Sequence, residues 1–164
     1  MSEKNRRVLA QLSGHIEGIT RSMNEVAYNV ISLMIMRLNE VSPVGDPATW
    51  KGKNGKPRKP PPGYVGGQFR GNWQLGVDMK PAGWFQGKID PTGDATVAEN
   101  IARIPNHASR HNYYIINAVP YAWRIEEGWS KRAPRPMVGR VRREFPMMLQ
   151  SVVNDIKARG GRVR

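Results

Sequence analysis

The run Gly14-His-Ile-Glu-Gly-Ile-Thr-Arg-Ser-Met-Asn-Glu-Val-Ala-Tyr-Asn-Val-Ile-Ser-Leu-Met-Ile-Met-Arg-Leu-Asn-Glu40 decides the fold class. Ile16, Ile19, Met23, Val26, Val30, Leu33, Met34 and Leu38 recur at spacings of three and four, the period of a helix with one apolar face. Glu17, Arg21, Asn24 and Arg37 fall on the other face. Ser13 is placed to cap the start, Glu17 favours the N-terminal dipole, and Pro43 stops the helix. Residues 1–13 read as an N-terminal arm or an extension of the helix, with Val8, Leu9 and Leu12 available to cover a neighbour.

The opposite end of the chain carries a second helical period. Val138, Val141, Phe145, Met148, Leu149, Val152, Val153 and Ile156 form a stripe over Met137 to Ala158. Pro146 falls inside it and predicts a kink or a division into two helices. Gly160-Gly161 ends it and leaves a basic tail over 158–164.

Between the helices the pattern changes to period two. Phe69, Trp73, Leu75 and Val77 alternate with Arg70, Gln74 and Asp78, as in a strand with one buried face. Trp84 to Ile89 reads as a second strand and Asn112 to Asn117 as a central one, with strand or a tight corner from Tyr121 to Gly128. Asp94 is placed to cap a short helix from Ala95 to Ile104, ended by Pro105. The expected fold is therefore α+β: one domain with the two helices packed on a small antiparallel sheet. Residues 45–67, rich in Gly, Pro and Lys and containing Pro60-Pro61-Pro62, predict a long extended basic loop. A loop of this length is ordinarily functional or held by a partner.

Composition narrows the function. The chain has 164 residues, 39% of them apolar, with 17 Gly and 13 Pro: a compact core carrying long irregular loops. It has no Cys, so disulfides and thiolate metal sites are excluded. No apolar run approaches a membrane span and no signal-type block follows the charged start, so a soluble, non-secreted chain is expected, with no membrane partner. The net charge of +13 implies attraction to nucleic acid or to acidic protein surfaces. It gathers in acid-free runs: Lys51, Lys53, Lys56, Arg58 and Lys59; then Lys131, Arg132, Arg135, Arg140, Arg142 and Arg143; then Lys157, Arg159, Arg162 and Arg164.

Catalytic chemistry finds little footing. His107 and His111 stand four apart, but they lack a Glu partner and a helical context, so no metal site is expected. Glu126 and Glu127 are adjacent, which on a strand points them to opposite faces; an ion pair with Arg124, Lys131 or Arg132 is the plainer role. Gly63-Tyr-Val-Gly66-Gly67 precedes no Gly-Lys-Ser/Thr, so no phosphate loop is present. The expectation is a non-enzyme with no catalytic residues, metal or cofactor. Zinc fingers are excluded and no sequence-reading element is evident, which leaves charge-driven contact with nucleic acid. Trp73, Tyr113, Tyr114, Tyr121 and Trp123 would stack bases if exposed, but core and subunit contacts suit them better.

Several short motifs occur in a fixed order. Pro43-Val44 and Asp46 come first, then Arg70-Gly-Asn-Trp73. Asn117, Pro120-Tyr121-Ala122, Ile125-Glu126-Glu127-Gly128-Trp129-Ser130, Ala133-Pro134 and Met137-Val138 follow. In this combination the chain resembles the tail-completion (neck) proteins of tailed bacteriophages, the group of the minor tail protein Z, over about residues 15 to 157. It departs from them in two places. Residues 47–66 split the usual Pro-Val-Asp-Thr-Gly turn, and Pro136 replaces a Gly before Met137.

The resemblance implies a structural virion protein at the head–tail junction: a homo-oligomeric ring, expected to be hexameric, present in the host cytoplasm during assembly. Its partners would be tail-terminator, tail-tube and connector proteins, with non-specific DNA contact. A tail-terminator or head-closure subunit is the alternative among virion proteins, and a non-specific nucleic-acid-binding protein the alternative outside them. A ring requires heterologous contact surfaces, in which aromatics and Arg are favoured anchors. The expected subunit-interface residues are Trp73, Tyr121, Trp123, Arg124, Glu126 and Trp129. Those facing DNA or an acidic partner are Lys51, Lys53, Lys56, Arg58, Lys59, Lys131, Arg132 and Arg135.

Overall fold

The computed structural model describes residues 3–52, 54–130, 132–133 and 136–159. Helix α1 runs from Glu3 to Val41, so the N-terminal arm is helical from its third residue and Ser13 lies inside the helix, not at its cap. Helix α5, Met137–Ala158, lies along α1. Arg37 meets Glu144 near one end and Arg159 meets Glu25 near the other, so the helices run antiparallel. Val30 is buried against Val152 and Ile156, with Val26, Leu33 and Leu149 around them. Pro146 does not divide α5, which is unbroken over its 22 residues. No helix among the described residues is long and apolar enough to cross a membrane.

The remaining elements are short: α2 Gln68–Gly71, β1 Trp73–Val77, α3 Asp94–Ile101, β2 Tyr113–Asn117 and α4 Ala122–Glu126. Mixed helix and sheet, α+β, is thus the fold, with a sheet of two strands. β1 pairs antiparallel with β2, from Trp73 opposite Asn117 to Val77 opposite Tyr113. The stretch expected to be a central strand is therefore one of two among the described residues, and β1 is buried on both faces from Trp73 to Gly76.

Side-chain amides replace further strands. On the edge of β1 away from β2, Asn100 of α3 accepts from Leu75 N at 2.6 Å and donates to Trp73 O at 2.9 Å. An edge satisfied by a helix side chain needs no third strand. The stretch 84–89 is not a strand; Asn72 holds it by accepting from Phe85 N at 2.7 Å and donating to Phe85 O at 3.2 Å. Helix α3 begins at Asp94, but the carboxylate that caps it is Asp90, which accepts from Gly93 N and Thr96 N, each at 2.8 Å. Burial opposes the Asp90 charge, and these amide donors outweigh it, holding the carboxyl below its ordinary range.

The main core joins Leu38 of α1, Phe69, Trp73, Val119, Ile125 of α4, and Met137 and Val141 of α5. At its centre the Trp73 indole N–H donates to Ser42 Oγ at 2.7 Å, and Ser42 Oγ donates to Leu38 O at 2.6 Å. A second cluster, Ile31, Ile35, Leu75, Ile104 and Ala108, continues the packing along the sheet, with Leu75 two residues from Trp73 on the same face of β1. Arg70 locks the corner between them: its guanidinium donates to Ser42 O at 2.8 Å and to Pro91 O at 2.7 Å. A cation at the carbonyl end of α1 also complements the helix dipole.

The basic excursion is held by its own contacts. Trp50 and Tyr64 meet edge to face at 4.8 Å, Lys51 bridges to Pro57, and a short 3₁₀ turn, Pro47–Thr49, is capped by Asp46. Its two ends touch: a Cβ on Gly66 would stand 2.5 Å from Gly45 O. Removing residues 47–65 should therefore leave cooperative thermal unfolding intact and change stability by no more than about 1 kcal/mol, the scale of loop-closure entropy. Loss of cooperative unfolding would place the excursion in the core.

Glu144 binds the Arg37 guanidinium through both oxygens, at 2.7 and 3.2 Å, and takes Arg140 as well. The Arg37 and Arg140 hydrogen bonds hold its carboxyl down to about 2 against an ordinary 4.5, and Arg37 is raised in turn. A depressed carboxyl stabilises the fold above its unfolded value and loses that contribution as pH falls. The α1–α5 contact should thus weaken between pH 4.5 and about 2. Thermal unfolding across that window should show the parent losing more stability than Glu144→Gln, which should start lower at neutral pH.

Candidate functional site

The sequence Ile125-Glu-Glu-Gly-Trp129 builds the most distinctive surface of the described residues. Ile125 is buried and anchors α4 to the core. Gly128 adopts φ 83°, which ends α4 in a left-handed turn: Trp129 N donates to Arg124 O at 2.9 Å and Gly128 N to Ile125 O at 3.0 Å. That reversal returns the Trp129 indole to Trp123, with ring centres 6.1 Å apart at 64°. The Arg124 guanidinium lies 5.2 Å from the Trp129 ring and 5.5 Å from that of Trp123. Trp123 is 52% exposed and Trp129 68%. Two indoles ordered around one guanidinium and open to water make an adhesive surface, because little side-chain freedom remains to be lost on contact.

The other expected interface residues divide. Trp73 is buried at 3% exposure in the chain's own core and offers no surface to a partner. Tyr121 is half-buried against Phe69, 6.3 Å between ring centres; burial and the nearby Tyr64 push its phenol up. Among the described residues Glu126 pairs with backbone amides, not with Arg124 or Arg132. It lies on a helix, not a strand, and its two oxygens accept from Val138 N at 2.6 Å and Gly139 N at 3.0 Å. It is the N-terminal cap of α5, supplied from twelve residues upstream, and it fixes the Trp123–Trp129 surface to that helix.

Of the basic residues, Lys51, Lys56, Arg58 and Lys59 are exposed along the excursion. Arg132 is also exposed but engaged: its guanidinium pairs with Asp46 at 2.6 Å, tying the chain after Trp129 to the base of the excursion. Lys53, Lys131 and Arg135 lie outside the described residues, as do Gly160-Gly161 and the end of the basic tail.

Two features carry no local signal in the sequence. A recess of about 430 Å³ is lined by Arg37, Arg70, Arg132 and Arg140 with Glu40. Its guanidiniums are committed to Glu144, Glu40, Asp46 and backbone carbonyls, through two local helix pairs (Arg37–Glu40 and Arg140–Glu144) and through contacts between distant positions (Arg37–Glu144, Arg132–Asp46 and Arg70–Ser42). A larger, apolar groove of about 890 Å³ opens between α1 and the end of α5. His111 Nδ1 lies 2.6 Å from Asp78 Oδ2, and this contact, then the Asn112 amide, lowers the Asp78 carboxyl. The pair fastens Asp78 at φ 59° where β1 leaves the sheet. Among the described residues no three of His, Asp and Glu gather to hold a metal ion.

Comparison with family models, with curated proteins and with solved structures returns no match.

Glu126→Ala should cost about 1–2 kcal/mol, the scale of a lost cap, measured by urea unfolding. An unchanged midpoint would show that the carboxylate does not hold α5.

Proposed function

We propose that the chain is a structural virion protein of a tailed bacteriophage: a ring subunit of the neck that completes the tail for joining to the head. The observation that carries this reading is the Trp123–Arg124–Trp129 surface, exposed yet ordered by the Gly128 turn and braced on α5 through Glu126. Such a surface is suited to permanent contact between subunits, where aromatics and Arg dominate. The ordered motifs support it in another way. Arg70, Trp73, Asn117, Ile125, Gly128 and Met137 each occupy a junction of the fold, as residues of a shared framework would. The exposed cations of the excursion suit an acidic neighbouring ring or passing DNA.

The alternative is a non-specific nucleic-acid-binding protein, favoured by Lys51, Lys56, Arg58 and Lys59 standing exposed on one loop. One experiment separates the two. The double variant Arg124→Ala with Trp129→Ala should keep the parent's melting temperature yet fail to complement neck assembly, leaving filled heads and unjoined tails. Duplex DNA titrated with the parent should bind weakly at physiological salt. Normal virion yield from the variant, together with tight DNA binding that falls steeply as salt rises, would replace the neck reading with the alternative.

A further inference from the structure

The apolar period of α1 does not stop where α5 stops covering it. Leu9, Leu12, Ile16, Ile19 and Met23 follow at alternating steps of three and four, and Val26, Val30 and Leu33 continue the same steps. The later three pack on α5. The earlier five are 49–61% exposed; Ile19 and Met23 share an open groove with Val153 and Ile156, which still leaves more than half of each uncovered. At 1.5 Å per residue the uncovered stripe is about 21 Å long. The apolar groove sits at its inner end, lined by Ile19, Met23, Val26, Val153 and Ile156.

Two physical points say what covers it. Gly14 and Gly18 fall within this half of α1, and two glycines in an unpacked helix cost about 1 kcal/mol each. A bare helix of this composition is marginal in water, so its order needs a second helix against the stripe. The other point is charge. A chain of net charge +13 repels its own copies, so contact between copies costs least where that charge is sparse. From Val8 to Thr20 the sole Asp, Glu, Lys or Arg is Glu17, and the residues flanking the stripe (Ser13, His15, Thr20 and Ser22) include none of these four. The chain's own solution to this seam, in its covered half, is an apolar helix. The surface that offers one, neutral and matched in period, is the same stripe on another copy.

We infer that the N-terminal half of α1 is a self-association seam, through which two copies of the chain pack stripe against stripe. This contact is distinct from the Trp123–Arg124–Trp129 surface and goes beyond the neck reading, since an isologous seam and a heterologous ring contact use different faces. Sedimentation equilibrium of the full chain over a wide concentration range tests it. The parent's mass should rise towards twice that of the monomer. Leu12→Glu with Ile16→Glu should weaken association by at least about tenfold, since each charge would be buried in the seam. These side chains are exposed in the single copy, so melting of the core should be unchanged, while the helix signal in circular dichroism should fall by no more than the fraying of the freed N-terminal half of α1. Leu12→Ser with Ile16→Ser serves as the milder variant should the glutamates disturb the helix. A parent that stays monomeric throughout, or variants that associate as the parent does, would overturn the inference. Trp123→Ala with Trp129→Ala should self-associate normally, so failure of the seam and failure of the neck reading give different results.

Discussion

The indole N–H of Trp73 reaching the Ser42 hydroxyl is the contact on which the rest of the structure depends. Ser42 is fully buried at the end of α1 and passes its own proton to Leu38 O. One chain of two hydrogen bonds thus fixes the first residue of the sheet to the last turn of the long helix. Met137, the first residue of α5, packs against the same hydroxyl. Sheet and both long helices meet at this point, inside a core where an unpaired indole or hydroxyl would be costly. Arg70 repeats the join from the surface side by binding carbonyls from the end of α1 and from the turn before α3.

Around that junction, polar side chains do much of the work usually given to strands. Asn100 seals an edge of β1, Asn72 and Gln74 hold the 83–85 segment, Asp90 starts α3, and Glu126 starts α5. All but Asp90, which binds amides three and six residues on, are bonded to backbone nine or more residues away, so a two-stranded sheet suffices where its few apolar residues alone would not. The same economy leaves Trp123 and Trp129 free of structural duty. Neither is needed by the core, yet both are held in place, which is the property that distinguishes them from the other aromatics of the chain.

The two long helices were legible because their periods extend over many turns; the Met137–Ala158 helix has the bounds its stripe predicts. Short elements were not. Trp84 to Ile89 has strand composition, but the amide of Asn72 captures its backbone, and no local pattern announces a partner thirteen residues away. Tyr121 to Gly128 reads as strand or a tight corner; it is a short helix, Ala122–Glu126, anchored by Ile125 and closed by a corner at Gly128. Caps misled for a related reason. Asp94 and Ser13 sit at favourable positions by spacing, but the Asp90 carboxylate takes the first role and α1 continues back to Glu3. Among the surface residues, the exposure of Trp129 was legible from its place beside a turn glycine, and that of Trp123 was not. The burial of Trp73 required knowing that a serine at the far end of α1 would meet it.

Gly45 and Gly66 touch across the base of the lysine-rich excursion, so the segment hangs from the body like a bead on a closed clasp. A piece attached in this way can lengthen, shorten or exchange its charges while the clasp stays shut and the framework behind it keeps its shape. Variation can therefore retune what the protein leans against without asking the two long helices or the sheet to change.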